Sequence, residues 1–532
     1  MPSDQVLADR NGLSAMDRRR FLQAGASLAA LASFALRPGD EAWAAPSFSS
    51  NPFSLGIASG DQTADGVVLW TRLAPSPLVQ TGGMPRREVP VQWQLATDEG
   101  MSNVVRSGAA LAAPQLVHSV HVELEGLEPA RDYYYQFKAG HDTSPIGRTK
   151  TAPAPGAQVD ELKFAFASCQ AWPDGYYSAY NRMAEEDLDL VVHLGDYIYE
   201  YGIDRNGGNR NVFVPGQFRS ETKGLQRYRL QHSLYKTDPD LQAAHARFPW
   251  IVTWDDHEVE NDYTDAIPQD PSTRFLKRRA AAYRAYYEHL PLGRRSFPHG
   301  PNMRIYRDLM WGNLAQFRVL DTRQYRDDHP CGDGETPRCA EALDPSVTMT
   351  GPPQERWLLN GLERDERKWN IIAQQVLMAE LDHKEGPGKI FWNDSWDGYP
   401  LARARILRHL ESRNINNPVV ITGDWHSTFV NDLLLNFNKP ESEPVATEFV
   451  GTSISTNGDA EVYGPYYGPF IPFNEHIKFF DGDRRGYVRC TVDQDQWVSD
   501  LRMVTTVSRR DAPVYTLASF AVENGRAGAH RI

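Results

Sequence analysis

The chain contains 532 residues, of which 41% are hydrophobic and 23% are charged. These proportions exclude a disordered chain, a collagen-like repeat and a small disulfide scaffold. The longest apolar run, Ala24 to Leu36, is shorter than the ~20 residues that span a bilayer, so we predict no integral membrane segment. The net charge of −13 disfavours a stable nucleic-acid complex, and a phosphate-bearing ligand would need a local positive centre such as a bound metal.

The first 45 residues have the pattern of an export signal. Three arginines at 18–20 precede Phe21, Leu22 and the apolar run, and Ala42-Trp43-Ala44 provides an A-x-A cleavage site. The arginines resemble a twin-arginine signal, which export machinery reads. We therefore predict a signal peptide over 1–45, the twin-arginine machinery as a partner, and a periplasmic or secreted mature protein. A buried N-terminal helix is the alternative.

The four cysteines have different sequence contexts. Cys331 and Cys339 flank a turn-rich segment, and in an oxidising compartment we predict a disulfide between them. Two free surface thiols are the alternative. Cys490 lies in an apolar alternation typical of a buried strand, whereas Cys169 ends a predicted strand and is a candidate ligand.

The chain divides into regions with different patterns. Short β-like runs separated by turns predict a fibronectin-III-like β-sandwich over residues 50–153. After a linker rich in proline and alanine, apolar strands alternate with helical patterns over 160–510, which predicts a layered α/β catalytic domain. Residues 511–532 are poor in large apolar side chains and are predicted to form a C-terminal tail, although 515–522 has the composition to pack.

Side chains able to bind metals follow four of the predicted strands. In α/β sheets ligands gather where strands end, so these side chains are expected to meet. Taken singly, an aspartate there is often a turn residue, a cysteine is often core and a histidine is often structural. Four such endings in chain order favour one shared site, formed by Cys169, Asp196 with Tyr199, Asp255-Asp256-His257-Glu258, and Asp424 with His426.

The mixture of donors predicts a centre with two different metals. A pair of ions about 3.5–4 Å apart, bridged by a carboxylate, is a common clamp for phosphoester cleavage. Asp196 follows Gly195 and is the predicted bridge. The thiolate of Cys169 and the phenolate of Tyr199 favour ferric iron, whereas the other carboxylates suit Ca²⁺ or Mg²⁺. Zinc or manganese pairs are alternatives.

Seven segments follow one another along the chain: Ala167-Ser-Cys-Gln, Leu194-Gly-Asp-Tyr-Ile-Tyr-Glu, Thr253-Trp-Asp-Asp-His-Glu-Val-Glu-Asn-Asp-Tyr, Leu320-Asp-Thr-Arg-Gln-Tyr-Arg, Asp394-Ser-Trp-Asp-Gly-Tyr-Pro, Thr422-Gly-Asp-Trp-His and Glu448-Phe-Val-Gly-Thr-Ser-Ile-Ser. Together they resemble the PhoD-like alkaline phosphatases. The resemblance implies an α/β (α+β layered) metallophosphatase core of two β-sheets between helices, preceded by a small all-β sandwich. It also implies Fe³⁺ and Ca²⁺ cofactors and phosphomonoesterase activity, often joined by phosphodiesterase activity.

The resemblance also implies roles for individual residues. Cys169, Asp196 and Tyr199 would bind iron, with Asp196 bridging to calcium. Asp256 would be a calcium ligand, although the doubled aspartate leaves Asp255 as an alternative.

Other segments of the resemblance imply a phosphoryl contact and further ligands. His257 would contact the phosphoryl oxygens or the leaving group. Asp424 and His426 would bind the two ions, where the wider superfamily has two histidines. A further histidine of that superfamily is either missing here or replaced by a glutamine, because the strand reads Ala373-Gln-Gln-Val, and this ligand is left unassigned.

Some neighbouring residues have two interpretations. Arg323 is predicted to bind the phosphate, with a salt bridge to Asp321 or another carboxylate as the alternative. His193 is predicted to be structural or to support a ligand. The aromatic side chains that would cover the pocket or pack in the core are Trp392, Trp396 and Tyr399.

The sequence therefore predicts an exported alkaline phosphatase that hydrolyses small or polymeric phosphoesters with a metal-activated water or oxide. One alternative is a phosphodiesterase of the phospholipase D type, acting on phospholipid or a cell-wall polyphosphoester. Another is an extracytoplasmic binding module with a degenerate metal site.

Overall fold

The structure is a computed structural model that describes residues 46–532 of the chain, so the predicted signal peptide lies outside the described residues. Within this part, no helix has the length and apolar character needed to cross a membrane. The N-terminal region is all-β, and its strands are β1 (Ile57–Gly60), β2 (Val67–Arg72), β3 (Val89–Ala96), β4 (Val104–Ala112), β5 (Ser119–Leu124), β6 (Asp132–Ala139), β7 (Asp142–Thr143) and β8 (Gly147–Lys150).

The larger region that follows mixes strands and helices. Its strands are β9 (Glu161–Ala167), β10 (Leu190–His193), β11 (Pro249–Val252), β12 (Arg307–Trp311), β13 (Ala315–Val319), β14 (Glu335–Thr336), β15 (Trp369–Gln374), β16 (Phe391–Trp392), β17 (Pro418–Thr422), β18 (Thr428–Leu433), β19 (Ala446–Val450), β20 (Ile477–Asp481), β21 (Arg485–Asp493), β22 (Gln496–Val504), β23 (Val514–Glu523) and β24 (His530–Arg531). Its helices are α1 (Ser178–Ala184), α2 (Leu225–Lys236), α3 (Pro239–Arg247), α4 (Phe275–His289), α5 (Gly351–Glu363), α6 (Pro400–Ser412) and α7 (Tyr463–Tyr467).

The first large sheet of the described chain runs in the order β24-β23-β22-β21-β9-β10-β11-β1-β2-β5. Strands β9, β10, β11 and β1 are parallel, and β1 pairs with β11 through Ser59 opposite Pro249 and Gly60 opposite Trp250. The N-terminal region therefore contributes three strands to the sheet of the larger region. At the other edge, the segment 511–532, predicted as a tail, contains β23 and β24 and extends the same sheet.

The other N-terminal strands form a small sheet in the order β4-β3-β6-β7, with β8 paired to β6. Its apolar side chains pack against those of β2 and β5, as Val91, Tyr135 and Phe137 lie in one core with Leu69 and Val120. This unit is the small all-β sandwich that was predicted to precede the catalytic core.

The second large sheet runs in the order β12-β13-β15-β17-β19-β18-β20 and packs face to face with the first. Side chains alternate along each strand, so Phe164 and Phe166 of β9 enter the core between the sheets, whereas Ala165 and Ala167 contact the core beneath α1 to α4. Helices α5 and α6 cover the outer face of the second sheet. Two sheets between helical layers confirm the predicted fold class, and burial on both faces explains the continuous apolar strands.

Candidate metal centre

The carboxyl ends of β9, β10, β11 and β17 meet at one edge of the two sheets, where each strand is followed by a candidate ligand. Cys169 and Asp196 are fully buried. A cavity of about 420 Å³ opens over this edge. Its floor is formed by Asp256, His257, Asp424 and His426.

Asp196 lies at the centre of the ligand cluster. Three groups of side chains each place one possible ligand atom per residue within 4.8 Å of all the others, and Asp196 belongs to every group. One group combines a thiol, a carboxyl and an imidazole, another has two carboxyls and an imidazole, and the third has carboxyls alone. The groups are Cys169, Asp196 and His426; Asp196, Asp256 and His257; and Asp196, Asp255, Asp256 and Asp424.

The backbone at this edge is held in an unusual conformation. The φ angles of Cys169, Asp196, Asp424 and His426 are 58°, 57°, 60° and 50°. Residues other than glycine seldom adopt positive φ, and such strained positions cost on the order of 1–3 kcal/mol each. The surrounding fold therefore stabilises the conformation that brings these four side chains together.

Gly195 allows the loops after β10 and β11 to approach closely. Its φ is 114°, and a Cβ atom there would lie 2.5 Å from the Cβ of Asp255 and 2.7 Å from its backbone nitrogen. Only glycine fits this position without displacing Asp255.

Glu258 holds the same two loops together. Its Oε2 accepts hydrogen bonds from the backbone N–H of Asp196 at 3.1 Å and of Asp255 at 2.9 Å, and its Oε1 accepts one from Tyr197 at 2.6 Å. Glu258 therefore positions two candidate ligands without belonging to any of the three ligand groups. The sequence places it beside His257 but gives no sign of this function.

The carboxyl groups lack the partners that buried anions require. Asp196 Oδ1 and Asp255 Oδ2 are buried and accept no hydrogen bond from the described residues. Burial raises the pKa of Asp196 to about 6. Burial and neighbouring carboxylates also raise the pKa values of Asp255 and Asp424 well above the usual range. A cation would satisfy these oxygens, so the residues fit a metal centre.

Tyr199 connects the thiol side of the cluster to the carboxyl side. Its hydroxyl donates to Asp196 Oδ2 at 2.9 Å and lies 3.0 Å from His426 Nε2. Burial, followed by the charge of Asp196, raises the pKa values of Tyr199 and Cys169 well above their usual range. The ionised forms of these two groups therefore require a nearby cation, as their predicted role as metal ligands would provide.

His257 is held by Glu200, a residue that the sequence analysis did not select. His257 Nδ1 lies 2.8 Å from Glu200 Oε2, and Glu200 Oε1 accepts a hydrogen bond from the backbone N–H of Asn261 at 2.9 Å. Burial lowers the pKa of His257, but the carboxylates of Glu200, Asp256 and Asp196 outweigh it and raise the pKa well above its usual value. These carboxylates therefore favour the protonated form of the imidazole on the cavity floor. The only signal in the sequence was the place of Glu200 four residues after Asp196.

Arg323 lies behind the carboxylates and does not line the cavity. It is fully buried, and its guanidinium forms ion pairs with Asp255 at 2.5 Å, Asp394 at 2.7 Å and Asp256 at 3.4 Å. Its contacts are therefore those of the salt-bridge alternative. Asp394, which was not selected as a site residue, also pairs with Arg326 and lines the cavity.

The aromatic candidates divide between cavity and core. Trp392 lines the cavity, whereas Trp396 and Tyr399 are fully buried. Trp396 donates to Gln374 at 3.0 Å and Tyr399 donates to the carbonyl of Asp327 at 2.7 Å. Both therefore belong to the core.

Three further candidate positions make contacts that support the fold. His193 is buried in β10 and stacks on Trp250. Gln375, in the segment where the superfamily histidine is missing, donates to Thr253 and the carbonyl of Leu320 and so supports the loops. Cys331 and Cys339 form a disulfide with Cα atoms 5.6 Å apart.

Comparisons with known proteins agree on one family. A family model described as PhoD-like phosphatase matches residues 164–501, and a model of the N-terminal domain of PhoD-like phosphatases matches residues 40–153. Alkaline phosphatase D of Bacillus subtilis (strain 168) is 48% identical over 526 residues, covering 97% of this chain and 89% of that protein. A solved structure described as "Structure of PhoD" is 49% identical, with a TM-score of 0.88 over 92% of this chain and 93% of the other.

Proposed function

This chain belongs to the PhoD-like phosphatase family and is a phosphoric ester hydrolase, and we propose that it is an exported, metal-dependent alkaline phosphatase that hydrolyses phosphomonoesters and also accepts phosphodiesters. The observation that carries the proposal is the position of Asp196, which is shared by three ligand groups beneath one cavity. Family membership leaves no place for the alternative of a non-catalytic binding module.

We infer that the thiol side of the centre holds Fe³⁺ and the carboxyl side holds Ca²⁺. Cys169, Asp196 and Tyr199 can supply three anionic donors, which favour a highly charged, thiophilic ion such as ferric iron, and His426 adds an imidazole. Asp196, Asp255, Asp256 and Asp424 supply the oxygen donors that calcium prefers. Bound metals of this kind lower the pKa of a water and neutralise charge on phosphoryl oxygens.

The protein's own residues would position the substrate. Glu200 fixes His257 Nδ1 and favours the protonated imidazole, which would offer its other N–H to a phosphoryl oxygen or to the oxygen of the leaving group. Glu258 and Gly195 hold the ligand loops in place, so the centre needs little rearrangement during the reaction.

A phosphodiesterase is the second candidate function. The cavity of about 420 Å³ lies in the range of pockets that enclose an organic ligand. It therefore has room for a substituent on each side of a phosphate.

The first test compares p-nitrophenyl phosphate with bis-p-nitrophenyl phosphate, using mature protein loaded with iron and calcium. Asp196→Asn is expected to lower kcat on the monoester by about 10³-fold or more, because a shared ligand is lost. The matched control is Asp160→Asn, which removes an exposed carboxylate before β9, at the end of the strand opposite Cys169.

The results separate the two candidate functions. Faster monoester cleavage that a calcium chelator abolishes supports the proposal, and a preference for the diester favours the second candidate. Equal activity of Asp196→Asn and Asp160→Asn, or no turnover by metal-loaded protein, would overturn both.

We propose twin-arginine export for the residues that precede the described structure. Arg18 and Arg19 stand before Phe21 and Leu22 in the pattern of that signal. Replacing both arginines by lysine is expected to keep the precursor inside the cell, and normal export of that variant would contradict the route.

A further inference from the structure

The cavity has two walls of different chemistry above its floor. The carboxylate wall consists of Asn261, Asp262, Gln269 and Asp333, and the aromatic wall consists of Trp392, Trp425, Tyr463 and Tyr467. None of the described residues that line the cavity is a lysine or an arginine. On the floor, Asp256 is 2% exposed and its Oδ1 accepts no hydrogen bond, which marks the end of the cavity where a cation and the phosphoryl group would bind.

Hydrogen bonds to amide side chains hold the carboxylate wall in place. Gln269 Nε2 donates to Asp262 Oδ2 at 3.2 Å and to Asp333 Oδ2 at 3.1 Å, and Asn261 Nδ2 donates to Asp262 Oδ2 at 2.8 Å. Within the described chain, neither carboxylate forms an ion pair with a basic side chain. Each carboxyl group therefore has one oxygen without a hydrogen bond from these amides and without a basic partner, and this oxygen is available to a ligand in the cavity.

The loop that carries Asp333 is fixed on both sides. The disulfide between Cys331 and Cys339 encloses it, and β14 pairs with β16, which places Glu335 opposite Trp392 of the aromatic wall. The backbone N–H of Asn393 also donates to the carbonyl of Gly334 at 3.1 Å. Asp333 and Trp392 are thus presented together by one covalently closed segment.

We propose that Asp262 and Asp333 make this pocket select phosphoesters whose organic group is uncharged or cationic, and reject those whose organic group is anionic. This inference rests on the proposed function, because it assigns the part of the substrate that is not the phosphate. Hydroxyl groups would donate to the free carboxylate oxygens, and a quaternary ammonium would also interact with the aromatic wall. An added negative charge would be repelled without a basic residue to compensate it.

The test uses two substrates that differ in one group. Glycerol 3-phosphate and 3-phosphoglycerate have the same phosphoester, but the second has a carboxylate where the first has a hydroxymethyl group. For the wild-type metal-loaded enzyme we expect kcat/KM to favour glycerol 3-phosphate by about tenfold or more, mainly through KM. Phosphocholine, with its permanent positive charge, is expected to be cleaved faster than 3-phosphoglycerate.

Variants assign this selectivity to the two carboxylates. Asp262→Asn with Asp333→Asn keeps the size of both side chains and is expected to reduce the preference to within about threefold. Asp333→Asn alone, at an exposed position, tests the inference if the double variant fails to fold. Asp160→Asn is the control that removes the same charge far from the cavity and should keep the wild-type preference. Assays are run at the same alkaline pH for the wild type and for every variant.

Each outcome decides the inference. It is overturned if the wild type does not discriminate, if the double variant still discriminates fully, or if phosphocholine is as poor a substrate as 3-phosphoglycerate. It is also overturned if the variants lose bound calcium, since the two carboxylates would then hold a metal. A higher kcat/KM for phosphocholine than for glycerol 3-phosphate would show that the pocket prefers a cationic organic group, and the reverse would show that it prefers an uncharged one. Hydrolysis of p-nitrophenyl phosphate reports on the proposed function separately.

Discussion

Replacing Gly195 by alanine tests whether the fold requires close contact between the loops after β10 and β11. The new Cβ would lie 2.5 Å from the Cβ of Asp255 at a φ of 114°, so one loop must move. Positive φ costs an alanine about 1–2 kcal/mol, and overpacking of a rigid site typically costs about 1–3 kcal/mol more. Alanine also restricts the unfolded chain more than glycine does, which offsets about 0.4–1 kcal/mol of this loss. We therefore expect Gly195→Ala to lose about 2–4 kcal/mol in free energy of unfolding.

Gly126→Ala is the matched control for this prediction. Gly126 also has a positive φ, 72°, but a Cβ there would have no neighbour within 4 Å. It should therefore show the backbone cost without the contact, about 1 kcal/mol. Urea unfolding measures both losses, and metal analysis with kcat shows whether the displaced loop also weakens the centre. If Gly195→Ala matched Gly126→Ala in stability and kept the metal content and kcat of the wild type, the reasoning would be refuted.

Three further substitutions test other contacts. Glu200→Gln should lower kcat by about 10–100-fold. It should also move the alkaline limb of the pH–rate profile to lower pH, because the carboxylate no longer raises the pKa of His257. An unchanged profile would contradict this. Tyr463→Phe removes a hydroxyl 3.2 Å from His426 Nδ1 and should weaken metal retention by about tenfold, measured by competition with a chelator. Burial lowers the pKa of Lys236 to about 7, so the unfolded chain binds that proton more tightly and wild-type stability rises with pH between about 7 and 10.5. Lys236→Met should be more stable at pH 7 and lack that slope in urea unfolding, and a less stable variant would refute the sign.

The candidate ligands at the strand ends could be predicted from the sequence, because each one directly follows a continuous apolar run that is typical of a buried strand. Cys169, Asp196 and Asp424 were found in this way, and they meet because β9, β10 and β17 end at the same edge of the two packed sheets.

The contacts around the ligands could not be read in the same way. Glu200, Glu258 and Asp394 act through hydrogen bonds and ion pairs that depend on how loops pack, and a single carboxylate in a sequence does not reveal its partner. The ion pair of Arg323 with Asp255 could not be predicted either, because it depends on how deeply the loops bury both side chains.

The pairing of β1 with β11 was also beyond the sequence analysis. A strand of four residues has too short a pattern to identify its partner, and these two are separated by almost two hundred residues. Long-range pairing of this kind depends on the packing of the whole sheet.

The order of strands in the first sheet also restricts when the protein can fold during its synthesis. β9, which leads to Cys169, lies between β10 and β21, so it lacks one neighbour until the ribosome has made residue 493. β11, which leads to Asp255, needs β1 from the start of the described chain. An emerging chain therefore carries incomplete sheet edges, which tend to pair with other chains. The sheet that carries Cys169 is therefore complete only after β21 has been made, and we expect chaperones that shield unpaired strands to act on this protein before metals bind.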